Sequence, residues 1–562
     1  MKRNINLFAS GAILALALTS CFGGGGVTVN SEKTQLYVGV YEGGLESGSY
    51  YKIAQEFEAK YADVSFEEGK KGVQVLFSEG RYSDPLADTI DGVSEEIFLD
   101  TAASVLKFHT KDLVLDISDL YSSPMNYDFV RKEVDASNPD STVFSEKIRE
   151  DRLSYYLEDD GKYYGIPGYS QFFGIVYDID MFTQYNLYFA KDGGFVRSSS
   201  DERSPGPDGD PSTTYDNGLP ATYDDFFALC DKIVSLDMTP IMWGGTVQEY
   251  VNSLLSALAC DYDGKEQTEL NYNFSGTATT LVQEVKSDGT IVYKDPTPIQ
   301  ASNGYELYSQ AGRYYALSFL ERLIANKKYY NAVDCTSLGL TNLDAQEQFL
   351  YSKYSSMRKR TAMLIEGSWW NKEATGVFAS MAAEHGEGDS QASRNIGLLP
   401  LPKATSDKVG EKFTVLERAV GDGFIKKSIA SYKVDLAKSF LQYLYQDSSS
   451  KTCLDLDSQT RPVDFTVTEE EYASLTPWSK TMYDLKNNTI VATCYSDSKM
   501  MRTYSSDLWY SPNLWNSTVS GATYTYPSLA MINNDVKALP YFEGLSTYMN
   551  KVVWSSKFSA AF

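Results

Sequence analysis

The sequence predicts an α/β protein of more than one domain, built on doubly wound sheets flanked by helices. Three observations predict it. Short apolar runs alternate with stretches whose apolar residues recur at helical spacing. Residues 35–41 (QLYVGVY), for example, are followed by 49–61, where Tyr50, Ile53, Ala54, Phe57 and Tyr61 share one helix face. Strand-like runs end in glycine-containing turns, Glu42-Gly43-Gly44 and Glu366-Gly367-Ser368, at the carboxyl ends of strands where such lobes hold their ligands. The chain has 562 residues, more than a single hydrophobic core holds.

From the amino end, Lys2 and Arg3 precede an apolar stretch, 7–18, too short for a span of ~20 residues, which ends in Leu18-Thr19-Ser20-Cys21. Small residues before a cysteine resemble the lipobox of bacterial lipoproteins. That resemblance implies a signal peptide over 1–20, lipidation of Cys21 and a flexible tether over 21–34. Next come strand 73–77, short helix 85–90, strand 96–98 and helix 101–108. Residues 113–121 read as a turn into a short helix and 144–156 as one acidic amphipathic helix. A strand over 172–177 follows the break at Pro167-Gly168, with a helix beginning at Asp178.

Residues 191–218 are a Gly/Pro/Ser/Asp-rich insert read as loop. Its Asp208 and Asp210 are spaced like part of a calcium loop that lacks further oxygen ligands and an acidic closing residue, so an exposed turn without metal is the expectation and a calcium site the alternative. Thr222 is placed to cap a helix with Asp225 in its first turn. Residues 271–298 read as an inserted hairpin. The Tyr-, Ser- and Trp-rich tail after 465 gives no pattern from which its elements can be placed.

The balance of 75 acidic against 50 basic side chains, formally −25, argues against nucleic acid and against electrostatic docking on anionic lipid. Besides Cys21 there are Cys230, Cys260, Cys335, Cys453 and Cys494, widely spaced and without a CxxC pair, which excludes a disulfide framework and a Cys-rich zinc site while leaving one or two bridges open. Only two histidines, His109 and His385, are present for acid–base or metal chemistry. There is no GxSxG, HExxH, P-loop or GxGxxG motif.

The run GKYYGIPGYSQFFGIVYDIDMF, 161–182, resembles the YGIP…YN.D.F segment of family 1 extracellular solute-binding proteins, the receptors of carbohydrate ABC transporters. In family order, LPATYDDF (219–226) resembles the P.TWdEf helix start, TAMLIEGSWW (361–370) the aAM..gW segment, NIGLLPLP (395–402) the iG..PlP segment and DLAKSFLQYLY (435–445) the A..Fl.yl helix. The resemblance implies a two-lobed fold of the periplasmic-binding-protein type II, with a cleft between doubly wound lobes. It implies a first lobe over 35–168 and a second over 169–415, the latter carrying the inserts 191–218 and 271–298. Residues 416–462 then return to the first lobe, and 463–562 belong mostly to the second. The chain is longer than a typical member. Hinges are expected near 165–175 and 415–424, where the chain crosses.

The stretch 361–374 is the focus: a buried strand running into Trp369 and Trp370, two rings that need the core or a ligand as partner. One ring is expected to meet ligand and the other to pack behind it, and the sequence leaves open which. The resemblance adds Glu366, Ser368, Trp243, Tyr250 and Tyr169, with Tyr41 and Glu42 from the first lobe and Arg461 from the late part. It implies a non-enzymatic, monomeric, extracytoplasmic receptor without cofactor, lipid-anchored to the bacterial cell membrane. Such a receptor would capture a carbohydrate, an oligosaccharide on the strength of the many aromatics, and deliver it to ABC transporter permease subunits. The alternatives are a secreted lipoprotein glycoside hydrolase, which needs a carboxylate pair at ~5–9 Å, or a surface glycan-binding protein without a transport role.

Overall fold

A computed structural model of the chain describes residues 28–41, 48–101, 104–418, 421–509 and 511–561. The signal and lipidation readings around Cys21, and Glu42, lie outside the described residues. Strand β1 (Thr34–Tyr41) runs inward on Leu36, Val38 and Val40, all fully buried, and α1 (Gly48–Lys60) covers it with Tyr50, Ile53, Ala54 and Phe57, the face that the helical spacing gives. β2 (Val73–Gly80) and β3 (Ile97–Thr101) follow. The residues expected to form one helix over 144–156 instead form Phe144–Lys147 and α2 (Glu150–Tyr156). The break has a tertiary cause: Ile148 pairs as an isolated bridge with Val463, and Arg149 N–H donates to Pro462 O at 3.0 Å, so a late segment captures the backbone that would have continued the helix.

β4 (Ile166–Pro167) belongs to the first sheet and β5 (Phe173–Asp178) to the second. Then come α3 (Tyr223–Ser235), β6 (Thr239–Met242), α4 (Gln248–Asn273), α5 (Ala311–Ala325), β7 (Thr361–Gly367), α6 (Trp370–Glu373) and β8 (Ile396–Leu399). The cap expected for α3 forms a full capping box: Asp225 N–H donates to Thr222 Oγ1 at 3.2 Å and Thr222 N–H to Asp225 Oδ2 at 2.9 Å. β9 (Thr414–Glu417), β10 (Asp422–Ile425), α7 (Val434–Leu444), α8 (Asp447–Asp457), α9 (Pro477–Asn488) and β11 (Ile490–Thr493) complete the frame. Beyond it the tail forms helices of its own. Among them Ala538–Tyr548 packs on α5 and on the short pair Ser517–Val519 and Ala522–Tyr524.

The first sheet has the order β2-β1-β3-β10-β4, with β2, β1 and β3 parallel and β10 antiparallel to its neighbours. The second has the order β8-β5-β7-β6, with β7 parallel to β6 and antiparallel to β5. The insert at 191–218 carries no helix or strand, and that at 271–298 pairs antiparallel, Val282–Val285 with Ile291–Tyr293 and Gly276–Ala278 with Thr297–Ile299. All five cysteines from Cys230 onward are free and buried, which closes the question of bridges among them. Among the described residues no helix is long and apolar enough to cross a membrane, and no group of three or more His, Cys, Asp or Glu is arranged to hold a metal ion.

The segments that join the sheets lie against one another. Phe172 bridges Glu417, Arg418 N–H donates to Gln171 O at 2.7 Å, and Ser170 N–H donates to Thr460 O at 2.8 Å. The approach is so close that a Cβ on Gly168 would lie 2.1 Å from Gly421 O. Glu417 pins this junction. Its carboxylate accepts from Ser170 Oγ (2.6 Å), Arg149 Nη2 (2.6 Å), Thr493 Oγ1 (3.3 Å) and Arg152 Nη1 (3.4 Å). Burial alone would raise its pKa, but the two guanidinium groups and the hydroxyl bring it down to about 2.

Candidate functional site

Every residue of β7 is buried, so its carboxyl end delivers the chain to a fixed place. Gly367 pairs with Phe173, Ser368 N–H donates to Phe172 O at 2.9 Å, and Phe172 N–H donates to Ser368 Oγ at 3.2 Å. Trp478 Nε1–H from α9 donates to Ser368 O at 3.2 Å. The turn is thus held from both sides, and Ser368 is one of its fasteners.

Trp369 folds back over the end of its own strand. A Cβ on Gly367 would sit 2.1 Å from the indole, so only glycine admits this ring position. The ring meets Phe173 edge-on at 4.8 Å and Tyr250 at 6.1 Å, and the Arg418 guanidinium lies 4.9 Å above it. Trp369 is 2% exposed under this cover, whereas Arg418 faces solvent and Tyr250 and Phe173 are half-buried. Trp370 takes the opposite direction. It is fully buried among Phe349, Phe378 and Trp478, a core ring. Of the adjacent pair it is Trp369 that joins the aromatic cluster.

Glu366 lies beneath the cluster at 1% exposure. Its carboxyl accepts from Gly367 N–H at 2.9 Å and from Gln346 Nε2–H at 3.0 Å, and the same Gln346 amide reaches Glu373 Oε2 at 2.7 Å. Burial, then the charge of Glu373, raise the Glu366 pKa to about 8, so it is largely protonated at neutral pH. Burial, and then these two carboxyl groups, also push the Tyr250 phenol up.

A second cluster gathers Tyr169 and Arg461. The Arg461 guanidinium lies 4.5 Å over the Tyr169 ring and donates to Tyr50 OH at 2.8 Å and to Cys453 Sγ at 3.0 Å. Tyr169 N–H donates to Asp100 Oδ1 at 3.0 Å, and Tyr50 OH donates to the other oxygen of the same carboxylate. Tyr169 and Arg461 are 2% and 3% exposed, which makes them framework at the junction. Beside them Asp457 accepts from Ser49 N–H at the start of α1 (2.9 Å) and from Lys372 Nζ of α6 (2.8 Å), an ion pair from one sheet's helices to the other's. Tyr41 is half-buried at the end of β1, opposite Gly80. Trp243 is fully buried and stacks on Tyr330 at 5.2 Å, apart from either cluster. A cavity of about 690 Å³ opens at the amino ends of β6 and β7, lined by Thr239, Tyr330, Arg358 and Thr361, at the far end of these strands from Trp369.

The structure therefore brings together Trp369, Tyr250, Glu366 and Ser368 from the sequence-derived set, and adds Phe173, Arg418, Gln346, Glu373 and Lys372. Phe173 carried a signal, an aromatic doublet before Gly174 at the strand break. Arg418 carried none, because its position over Trp369 is made by a contact between segments nearly fifty residues apart in sequence.

No protein-family profile matches the chain, and no curated protein matches it in sequence. Solved structures do. A chitin oligosaccharide binding protein aligns with a TM-score of 0.52 at 14% identity, over 94% of this chain and 100% of its own. A protein from the thermophilic bacterium Caldanaerobius polysaccharolyticus, described in connection with xylan utilization, aligns with a TM-score of 0.52 at 13% identity, over 92% of this chain and 100% of its own. The chain has the two-lobed, periplasmic-binding-protein-like α/β fold.

Proposed function

We propose that the protein captures a carbohydrate between its lobes and delivers it to the permease of an ABC transporter, held at the membrane through lipidated Cys21. The observation that carries the reading is the aromatic cluster of Trp369, Phe173 and Tyr250 at the carboxyl end of β7, beside the segments that join the two sheets. Sugars offer apolar C–H faces that lie on aromatic rings and hydroxyl groups that require fixed polar partners. The fold shared with a chitin oligosaccharide binding protein supports the same reading. Ligand seated on the second lobe would supply contacts to the first and favour a closed arrangement, adding to the Lys372–Asp457 pair that already ties the helices of the two sheets together.

A hydrolase is the less favoured reading. The Glu366 carboxyl beneath the cluster is buried at 1% exposure and tied to Gln346 and its own backbone, out of reach of a glycosidic oxygen. Incubating the pure protein with a panel of oligosaccharides distinguishes the readings. A receptor raises its unfolding midpoint with one of them and releases no product. Turnover would overturn the receptor reading.

A further inference from the structure

Acidic side chains outnumber basic ones by 75 to 50, so a cation on this surface has carboxylates to choose from. Most arginines have taken one: Arg149 and Arg152 hold Glu417, Arg360 and Arg394 hold Asp178, and Arg502 holds Glu158. Among the described residues Arg203, Arg313 and Arg461 lack an ion pair but lie over rings of Tyr188, Tyr308 and Tyr169, and the last two also donate hydrogen bonds. Arg81 and Arg418 are exposed, as Arg203 is, and among the described residues neither guanidinium forms an ion pair or a hydrogen bond; unlike Arg203, which lies in the 191–218 insert, they stand at strand ends.

Their positions are not arbitrary. Arg81 follows Gly80, the last residue of β2, whose partner across the first sheet is Tyr41. Arg418 follows Glu417 at the crossing, with its backbone tied to Gln171 and its guanidinium over Trp369 and, at 5.4 Å, over Phe173. One free guanidinium thus stands at the carboxyl edge of the first sheet and the other at the aromatic cluster of the second, the edges where ligands of such lobes bind.

We propose that the ligand is an acidic saccharide whose carboxylate or sulfate is gripped by Arg418, with Arg81 closing on it from the opposite lobe. This rests on the carbohydrate reading above. A planar guanidinium matches a carboxylate or sulfate with two parallel hydrogen bonds, a stronger partner than the face of an aromatic ring. Ligand arrival then has two linked effects. Arg418 moves to the anion, and the face of Trp369 that it covers is freed for the sugar ring. The Glu366 carboxyl does not oppose this, because burial holds it largely protonated at neutral pH, and Glu373 is engaged by Gln346.

The test is calorimetric titration of the full chain and of Arg418→Ala, Arg418→Lys and Arg81→Ala. The probes are a galacturonic acid trimer, a sulfated chondroitin-type oligosaccharide of similar length, and the neutral trimers of xylose and N-acetylglucosamine. The wild type should prefer one of the acidic probes, and which one identifies the anion. Arg418→Ala should weaken that binding roughly ten- to hundredfold, the range for a charge-assisted hydrogen bond, while its unfolding midpoint stays that of the wild type. Arg418→Lys should recover part of the loss, since it restores the charge without the fork, and Arg81→Ala should weaken binding in the same direction. A neutral trimer bound more tightly than either acidic probe, or an acidic probe bound equally by Arg418→Ala, would overturn this inference and leave the carbohydrate reading standing. Binding of no saccharide by the folded wild type would overturn both.

Discussion

Replacing Glu417 with glutamine keeps the shape of the side chain and removes its charge from the junction between the lobes. The wild-type carboxyl is fully buried, with its pKa brought from an ordinary 4.5 down to about 2 by groups that exist only in the folded chain. A shift of that size corresponds to roughly 3 kcal/mol of folding stability at neutral pH. The variant also leaves half-buried Arg149 with Asp151 alone, and takes from buried Arg152 its ion-pair partner, leaving it the hydroxyl of Tyr156. Urea unfolding followed by tryptophan fluorescence should therefore place Glu417→Gln about 3 kcal/mol below the wild type at pH 7. The pH dependence has a definite sign. Because the folded-state pKa is depressed, the contribution is complete above about pH 4.5 and is lost as the pH falls toward 2, so the gap between the two proteins should narrow over that window. A gap under ~0.5 kcal/mol at pH 7, the range of an ordinary surface substitution, would refute the assignment of Glu417 as the pin. So would a gap that does not change with pH.

Glu366 titrates in the opposite sense. With its pKa raised to about 8 it binds a proton more tightly folded than unfolded, so it should lower stability steadily as the pH rises from about 4.5 to 8. Glu366→Gln should remove that slope, read as unfolding midpoints across the range, and an unchanged slope would assign it elsewhere. Trp370→Ala should cost about 3–5 kcal/mol by emptying a core site, while leaving the affinity of the molecules that still fold unchanged. Asp457→Asn weakens the pairing of α6 with α8 and should give a larger radius of gyration in X-ray scattering of the ligand-free protein. Equal radii would mean that the pair does not restrain the lobes.

What the sequence made legible was local or periodic. The α3 capping box could be read because Thr222 and Asp225 are three residues apart. The face of α1 could be read because Tyr50, Ile53 and Phe57 repeat along one helix. β7 and its glycine turn could be read because an apolar run ends in Gly367 before two large rings. The split of 144–156 was not legible, since the cause is a backbone three hundred residues later in the chain. Nor was the choice within Trp369-Trp370. Adjacent residues at a helix start point about 100° apart, and which one meets the core depends on Phe349, Phe378 and Trp478 from three separate elements. Arg418 stayed hidden for the same reason. Nothing beside it in sequence marks it, and Trp369, which it covers, is reached only through the fold. Tyr169 and Arg461 were found by position in the chain, but their burial against Tyr50, Asp100 and Cys453 makes them the floor beneath a site rather than its surface.

The central claim is that a carbohydrate lies on Trp369, and one measurement addresses it most directly. Take the saccharide that raises the unfolding midpoint of the wild-type chain, and titrate it calorimetrically into wild type and Trp369→Ala. The expected result is an affinity loss of at least about tenfold, as for a central aromatic anchor, in a variant that still unfolds cooperatively. Equal affinity in the two proteins would contradict it.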